Sequence, residues 1–284
     1  MPQLSVRLTL AILLMCVIIA YNPRLISLPG PLPEDSAMED LGRIVYPSLK
    51  NIPWRPHFIL PDESLERLFG NRWVWVARFN RLDRRHAYPG MTIKVPLNLE
   101  DIEHYTPLPE MYGKAKPFRK YILIDVTEQW IGAYEYGKQK FSMPAVTGKA
   151  KHETPPGIFR VDALDRHHRS SLYDTADGKS KYPMDYAIRF YVSPDDTGYW
   201  IHARDMPGRP ASHGCVGLFD EEMQNRVYKV PAEPVLNDAK KLYEWVMDGE
   251  ETRVEAGGVQ FMMNGPVLEV SGSLPVRLDF SQRM

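Results

Sequence analysis

Cys215 is one of only two cysteines in the 284-residue chain, and its neighbours suit nucleophilic chemistry. The stretch runs Ile201-His202-Ala203-Arg204, then Gly208-Arg209-Pro210-Ala211-Ser212-His213-Gly214-Cys215-Val216. A thiol with an ordinary pKa of about 8.5 is only a few per cent thiolate at neutral pH, so attack needs a nearby base or positive charge. His202 ends a strand-like segment, and a return strand carrying Cys215 would bring imidazole and sulfur within hydrogen-bond reach. His213 would share the strand face of Cys215 in an extended backbone. Gly214 has no side chain, which would let a substrate carbonyl approach backbone N–H groups, the requirement for an oxyanion hole. Two readings compete: an unreactive buried cysteine, and a metal site of His202, His213 and Cys215 with His167 or His168 as fourth ligand. Standard zinc spacing is absent, so the expectation is a thiol site without metal or cofactor.

The elements that must position these residues are mostly strands. Residues 121–126 and 130–136 are strand-like and joined by a polar turn, and 141–146, 157–161, 187–192 and 199–202 continue the series. Short strands separated by turns indicate a mainly β fold, a sandwich or barrel. The polar stretch 162–183 interrupts the rhythm and reads as a long loop of the kind that forms lids or binding elements. Residues 237–247 (NDAKKLYEWVM) place Ala239, Leu242, Tyr243 and Val246 on one helix face. A β segment at 259–263 and 267–270 closes the chain, making the C-terminal part a helix plus strands.

Towards the N-terminus the texture changes. Residues 8–21 (LTLAILLMCVIIAY) are apolar, preceded by Arg7, and shorter than the ~20 residues of a membrane span. Residues 1–21 therefore read as a signal peptide or an uncleaved signal anchor. Seven prolines between 22 and 56 read as an extended linker. Within 57–97, Pro61-Asp62 offers a helix start, with Leu65, Leu68 and Phe69 at helical spacing and Gly70-Asn71 as a stop. A second helix runs from Trp73 to Asn80, and Pro89-Gly90 leads into a short strand ending at Pro96. That α/β run resembles a LysM peptidoglycan-binding module, although Pro-Asp-Glu-Ser-Leu stands where that family has Gly-Asp-Thr-Leu. The alternative is a small packing domain that positions its neighbour. Net charge is −1, which offers no broad basic field for nucleic acid. With Cys16 in the leader, the remainder keeps one thiol, too few for a disulfide framework.

The histidine at a strand end followed by Ser-His-Gly-Cys-Val resembles the signature of the L,D-transpeptidase (YkuD-type) catalytic domain. Thr147-Gly148 with Thr154-Pro155-Pro156-Gly157-Ile158-Phe159 is similar to another of its blocks. So is 182–190, which contains Tyr186 and leads towards the first histidine. The likeness covers roughly 118–231 and places the catalytic domain, with a C-terminal extension, at 118–284. It implies a β-sandwich enzyme of bacterial peptidoglycan whose cysteine attacks the third residue of a tetrapeptide stem. D-alanine is expelled, and an amine acceptor resolves the thioester.

Carried over, Cys215 is the nucleophile and His202 its general base. His213 and the backbone N–H groups of Gly214 and Cys215 serve substrate and oxyanion, and Ser212 shapes the turn. Tyr186 joins the substrate contacts. Gly217 stands where the family commonly has Asn or Arg, so Arg204 or Arg209 is expected to hold the stem carboxylate instead. Expected partners are stem peptides and glycan, with a membrane tether through residues 8–21, in the periplasm or cell envelope. The alternatives are an L,D-carboxypeptidase using water and a non-catalytic wall-binding protein.

Overall fold

The apolar residues between the N-terminal prolines decide how the first described segment folds. The computed structural model describes residues 40–175, 178–254 and 258–278. Leu41, Ile44, Tyr46 and Leu49 are all buried. They sit on 3-10 turns at Leu41–Arg43 and Pro47–Asn51, with the two-residue strand β1 (Ile44–Val45) between them. Asp40 caps the first turn by accepting the Gly42 N–H at 2.9 Å. Pro47 opens the second, where its missing donor costs nothing. The extended linker expected over 22–56 is thus corrected for 40–56: here the prolines punctuate folded turns, because the residues between them have a core to enter. The apolar leader and residues 22–39 lie outside the described residues.

Strand β2 (Trp54–Phe58), helices α1 (Leu65–Phe69) and α2 (Trp73–Asn80), and strand β3 (Thr92–Pro96) follow, with β2 and β3 paired antiparallel. Ser64 caps α1 by accepting the Arg67 N–H at 3.3 Å, and Gly70 at φ 57° ends it. Asn80 is buried at the end of α2. It donates to the carbonyls of Val76 (2.9 Å) and Lys94 (2.8 Å) and accepts the Lys94 N–H (2.8 Å), fixing α2 to β3. The core of this unit includes Ile59, Leu65, Val76, Phe79 and Ile93. It continues into Val146, Met206 and Phe219, so residues 40–96 share apolar packing with the later chain.

The remaining strands are β4 (Tyr121–Asp125), β5 (Trp130–Glu135), β6 (Lys138–Pro144), β7 (Gly157–Arg160), β8 (Ala163–Asp174), β9 (Lys181–Val192), β10 (Gly198–Ala203) and β11 (Val216–Leu218). Helices α3 (Glu221–Tyr228) and α4 (Asp238–Met247) come next. Strands β12 (Thr252–Val254), β13 (Gln260–Met262), β14 (Val267–Ser271) and β15 (Val276–Arg277) end the described chain. One sheet has the order β6-β5-β4-β14-β7 and a second the order β11-β10-β9-β8-β13-β12, while β15 pairs with β1.

Ile122, Ile124, Ile131 and Met143 of the first sheet meet Leu164, Ile188, Ile201, Ala203 and Leu218 of the second in one core. Leu242, Tyr243 and Val246 of α4 pack against it. The fold is the mainly β sandwich that the strand pattern predicts. Tyr121 and Leu123 point the other way, into a separate buried cluster with Leu108 and Trp130. Burial on both faces is why β4 reads as an unbroken apolar run. The polar stretch 162–183 is not a loop: its ends belong to the β8–β9 hairpin, with a register shift between Arg169 and Asp174. Its outer residues face water, so no apolar alternation marks them. Helix α3, unexpected from the sequence, starts at Asp220, which accepts the Met223 N–H at 2.7 Å.

Candidate active site

Strand β10 lies between β9 and β11, antiparallel to the first and parallel to the second. Because side chains alternate, Ile201 and Ala203 enter the core while Trp200 and His202 face outward. His202 sits opposite Gly217 in the parallel pair, so Cys215, two residues earlier, reaches the same outer face diagonally from it. Both residues line one cavity of about 740 Å3, together with His168, Arg204, Ser212 and His213. Tyr173 of β8 also lines this cavity and stacks on His213 (centroids 4.7 Å, interplanar 20°).

The turn before Cys215 is braced by the Thr-Gly and Thr-Pro segments. The Gln129 side chain accepts the Thr147 N–H at 2.9 Å and donates to Thr147 Oγ1 at 2.6 Å. The Thr147 carbonyl accepts the Ser212 N–H at 3.1 Å, and the Ser212 carbonyl accepts the Lys149 N–H at 3.0 Å. Thr154 Oγ1 accepts the Gly148 N–H at 3.0 Å and donates to the Gly214 carbonyl at 2.8 Å. A Cβ at Gly148 would lie 2.7 Å from Thr154 N, so only glycine fits between these strands of contact. Ser212 Oγ accepts the Gly214 N–H at 3.0 Å and donates to the Cys215 carbonyl, which closes the turn on itself.

His202 is 2% exposed, and its Nδ1 lies 2.7 Å from the Ala203 carbonyl oxygen. A carbonyl only accepts, so Nδ1 carries the proton and Nε2 is the free acceptor. Burial pushes the imidazole down to about 3, with the Arg204 charge adding to the shift and the Ala203 carbonyl opposing it. Burial pushes the Cys215 thiol up, while the Trp200 backbone N–H and the Arg204 charge pull it down. At neutral pH the resting pair is therefore a neutral imidazole and a thiol, not an ion pair. The two are not hydrogen-bonded to each other, in contrast to the reach expected from sequence. Catalytic hydrogen bonds commonly tighten only when substrate is bound.

Several expected roles meet a different geometry. The Gly214 N–H is taken by Ser212, so it is not free for an oxyanion. The space a Gly214 Cβ would fill is 2.5 Å from Tyr199 Cε1, and its φ of 115° belongs to the region that favours glycine. The missing side chain thus admits a tyrosine ring and a bend, not a substrate carbonyl. That bend means His213 does not continue an extended strand with Cys215. His213 is exposed, between Tyr173 and His152 (4.8 Å, edge-on). Tyr186 does not line the cavity: its φ of 54° breaks the alternation of β9 and turns its ring onto Tyr243 of α4 (5.7 Å). Arg209 is also absent from the lining, whereas Arg204 is part of it.

Of the two candidate fourth ligands, His168 lines the cavity and His167 does not. His168 stacks on Trp200 (4.3 Å, 27°), and the exposed His167 faces Asp185 at 3.9 Å. Among the described residues, Asp83, His86 and Asp205 are the group that could converge on an ion. Asp83 is occupied by protein donors, the N–H groups of His86 (2.8 Å) and Met206 (2.7 Å). Asp205 pairs with Arg85 at 2.7 Å. Sequence reasoning missed Trp200, Tyr199 and Asp205 around the site. The only signal for them was their nearness to His202 in the chain.

Comparison with solved structures finds similar L,D-transpeptidases, among them the following three. One, from Stackebrandtia nassauensis, is 21% identical, with 73% of this chain and 69% of that chain covered and a TM-score of 0.38. A cysteine-to-serine mutant from Enterococcus faecium is 21% identical (54% and 50% covered, TM-score 0.35). L,D-transpeptidase 3 from Mycobacterium tuberculosis, in complex with a faropenem-derived adduct, is 17% identical (54% and 60% covered, TM-score 0.35). No curated protein matches. Residues 119–255, which carry Cys215, His202 and the turn between them, match the model of the YkuD family, the L,D-transpeptidase catalytic domain.

Proposed function

We propose that the protein is a peptidoglycan L,D-transpeptidase acting through a thioester on Cys215. The observation that carries this reading is the shared outer-face cavity, in which Cys215 stands beside an imidazole whose Nδ1 is fixed and whose Nε2 is free. In acylation, Sγ bonds to the carbonyl carbon of the third stem residue as its proton passes to His202 Nε2. The C–N bond to D-alanine then breaks, and the amine leaves with that proton. An acceptor amine attacks the thioester, His202 takes its proton, and Sγ leaves with a proton returned from His202. A neutral imidazole so reluctant to stay charged favours proton transfer in step with C–S bond formation over a standing thiolate.

Export to the periplasm or cell envelope, directed by residues 1–21, and glycan contact through the LysM-like residues 57–97 belong to the same proposal. Incubating the purified protein with disaccharide-tetrapeptides and resolving products by mass tests the reaction. Dimers with released D-alanine support a transpeptidase. Tripeptides alone make it a carboxypeptidase, and unchanged stems make it non-catalytic.

A further inference from the structure

We propose that Arg204 binds the α-carboxylate of the residue that leaves during acylation, in space that Gly217 keeps open. This rests on the donor-stem reading above. Gly217 pairs across from His202, and a Cβ there would lie 2.7 Å from Arg204 Cβ and 3.0 Å from Cγ. The arginine stem thus lies over the glycine, on the strand next to the imidazole, and any side chain at 217 would displace it.

Among the described residues, no carboxylate pairs with the guanidinium. Its hydrogen bond from Nη2 goes to the Ala211 carbonyl at 3.0 Å, and its Nε is buried with no partner. The neighbouring carboxylate of Asp205 is committed to Arg85 (2.7 Å), Tyr228 (3.1 Å) and Gln224 (3.0 Å). The side chain is only partly exposed, and it lines the cavity that holds the thiol. The departing amine takes its proton from His202 and so passes beside it. The carboxylate of the leaving residue is one carbon from that amine, which puts it within the span of a guanidinium anchored over Gly217. Arginine meets carboxylate through parallel N–H donors, and Nε–H lies parallel to one N–H of Nη2, the pair that offers such a fork.

The wild-type chain, Arg204→Gln and Arg204→Lys are compared on tetrapeptide donors ending in free D-alanine or in its carboxamide. The wild type is expected to prefer the free acid in kcat/KM by about tenfold or more. Arg204→Gln erases the preference, and Arg204→Lys keeps part of it. Gly217→Asn, which takes the place of the arginine stem while leaving the charge in the chain, lowers it too. A preference that survives Arg204→Gln overturns the proposal, as does one that follows amidation of the third residue's side-chain carboxylate. Alkylation of Cys215 needs no stem peptide. The ratio of its iodoacetate rate to its iodoacetamide rate is expected to fall about tenfold in Arg204→Gln, and an unchanged ratio overturns the carboxylate site. A fall in that ratio without turnover of any stem would remove the donor-stem reading and leave the carboxylate site standing.

Discussion

Asp83, just after helix α2, and Met206, in the segment after β10, exchange two hydrogen bonds: the Asp83 N–H donates to the Met206 carbonyl at 2.8 Å, and the Met206 N–H donates to Asp83 Oδ2 at 2.7 Å. Gly208 adds a third link through its N–H to the Arg81 carbonyl at 3.0 Å. The chain that follows His202 is therefore held by the end of α2. Asp83→Ala leaves the Met206 N–H without its buried acceptor and takes from the Gln224 amide one of its two carboxylate acceptors, Asp205 remaining. A buried donor left unpaired costs about 1–3 kcal/mol. Urea unfolding is expected to show a loss in that range or larger, with turnover falling beyond what the folded fraction explains. Wild-type stability in Asp83→Ala would show that the link carries no weight.

Ser212 closes the turn before the thiol through Gly214 and Cys215. Ser212→Ala removes both bonds and is expected to cost about 1–2 kcal/mol and to lower kcat more than it raises KM. Unchanged kcat in a folded variant would separate the turn from catalysis.

His202 makes stability depend on pH. In the folded chain burial holds its imidazole at about 3, whereas the unfolded group protonates near its ordinary 6.5. Between these values the unfolded state binds the extra proton, so stability falls as pH drops, by at most about 1.4 kcal/mol per unit. Asp220 has the opposite sign. Burial pushes its carboxyl up to about 7, so the folded state keeps a proton that the unfolded state has lost, and stability falls as pH rises towards 7. The difference between wild type and His202→Gln isolates the first effect. It is expected to shift against the wild type from pH 7 to pH 4, and a constant difference would mean that His202 is protonated in the folded chain.

Tyr173 reaches from the β8–β9 hairpin to stack on His213. Tyr173→Ala is expected to raise KM for a stem peptide severalfold with little change in kcat, as for a lost wall of the cavity. A kcat loss with unchanged KM would place the ring in the chemistry instead.

The parts legible in the sequence are those where one local rule decides. The strand ending near His202 and helix α4 follow from short-range pattern. Thr147-Gly148 and Thr154 were visible as motif blocks, but their work of holding Ser212 and Gly214 emerges only when strands distant in sequence meet. Tyr186 misled because one residue at positive φ reverses which side of a strand faces the site. Residues 40–56 misled because proline content outweighed Leu41, Ile44, Tyr46 and Leu49. Strand β8 was hidden by its polar outer face, where nothing apolar marks the period, and β9 was legible only over 187–192.

The central claim is that Cys215 carries the acyl group. Intact-protein mass spectrometry after mixing with a tetrapeptide stem, without an acceptor amine, tests it most directly. The account predicts an adduct equal to the stem acyl group less D-alanine, mapped to the peptide containing Cys215 and missing from Cys215→Ala. An adduct that persists in Cys215→Ala, or D-alanine release by that variant at the wild-type rate, would contradict it.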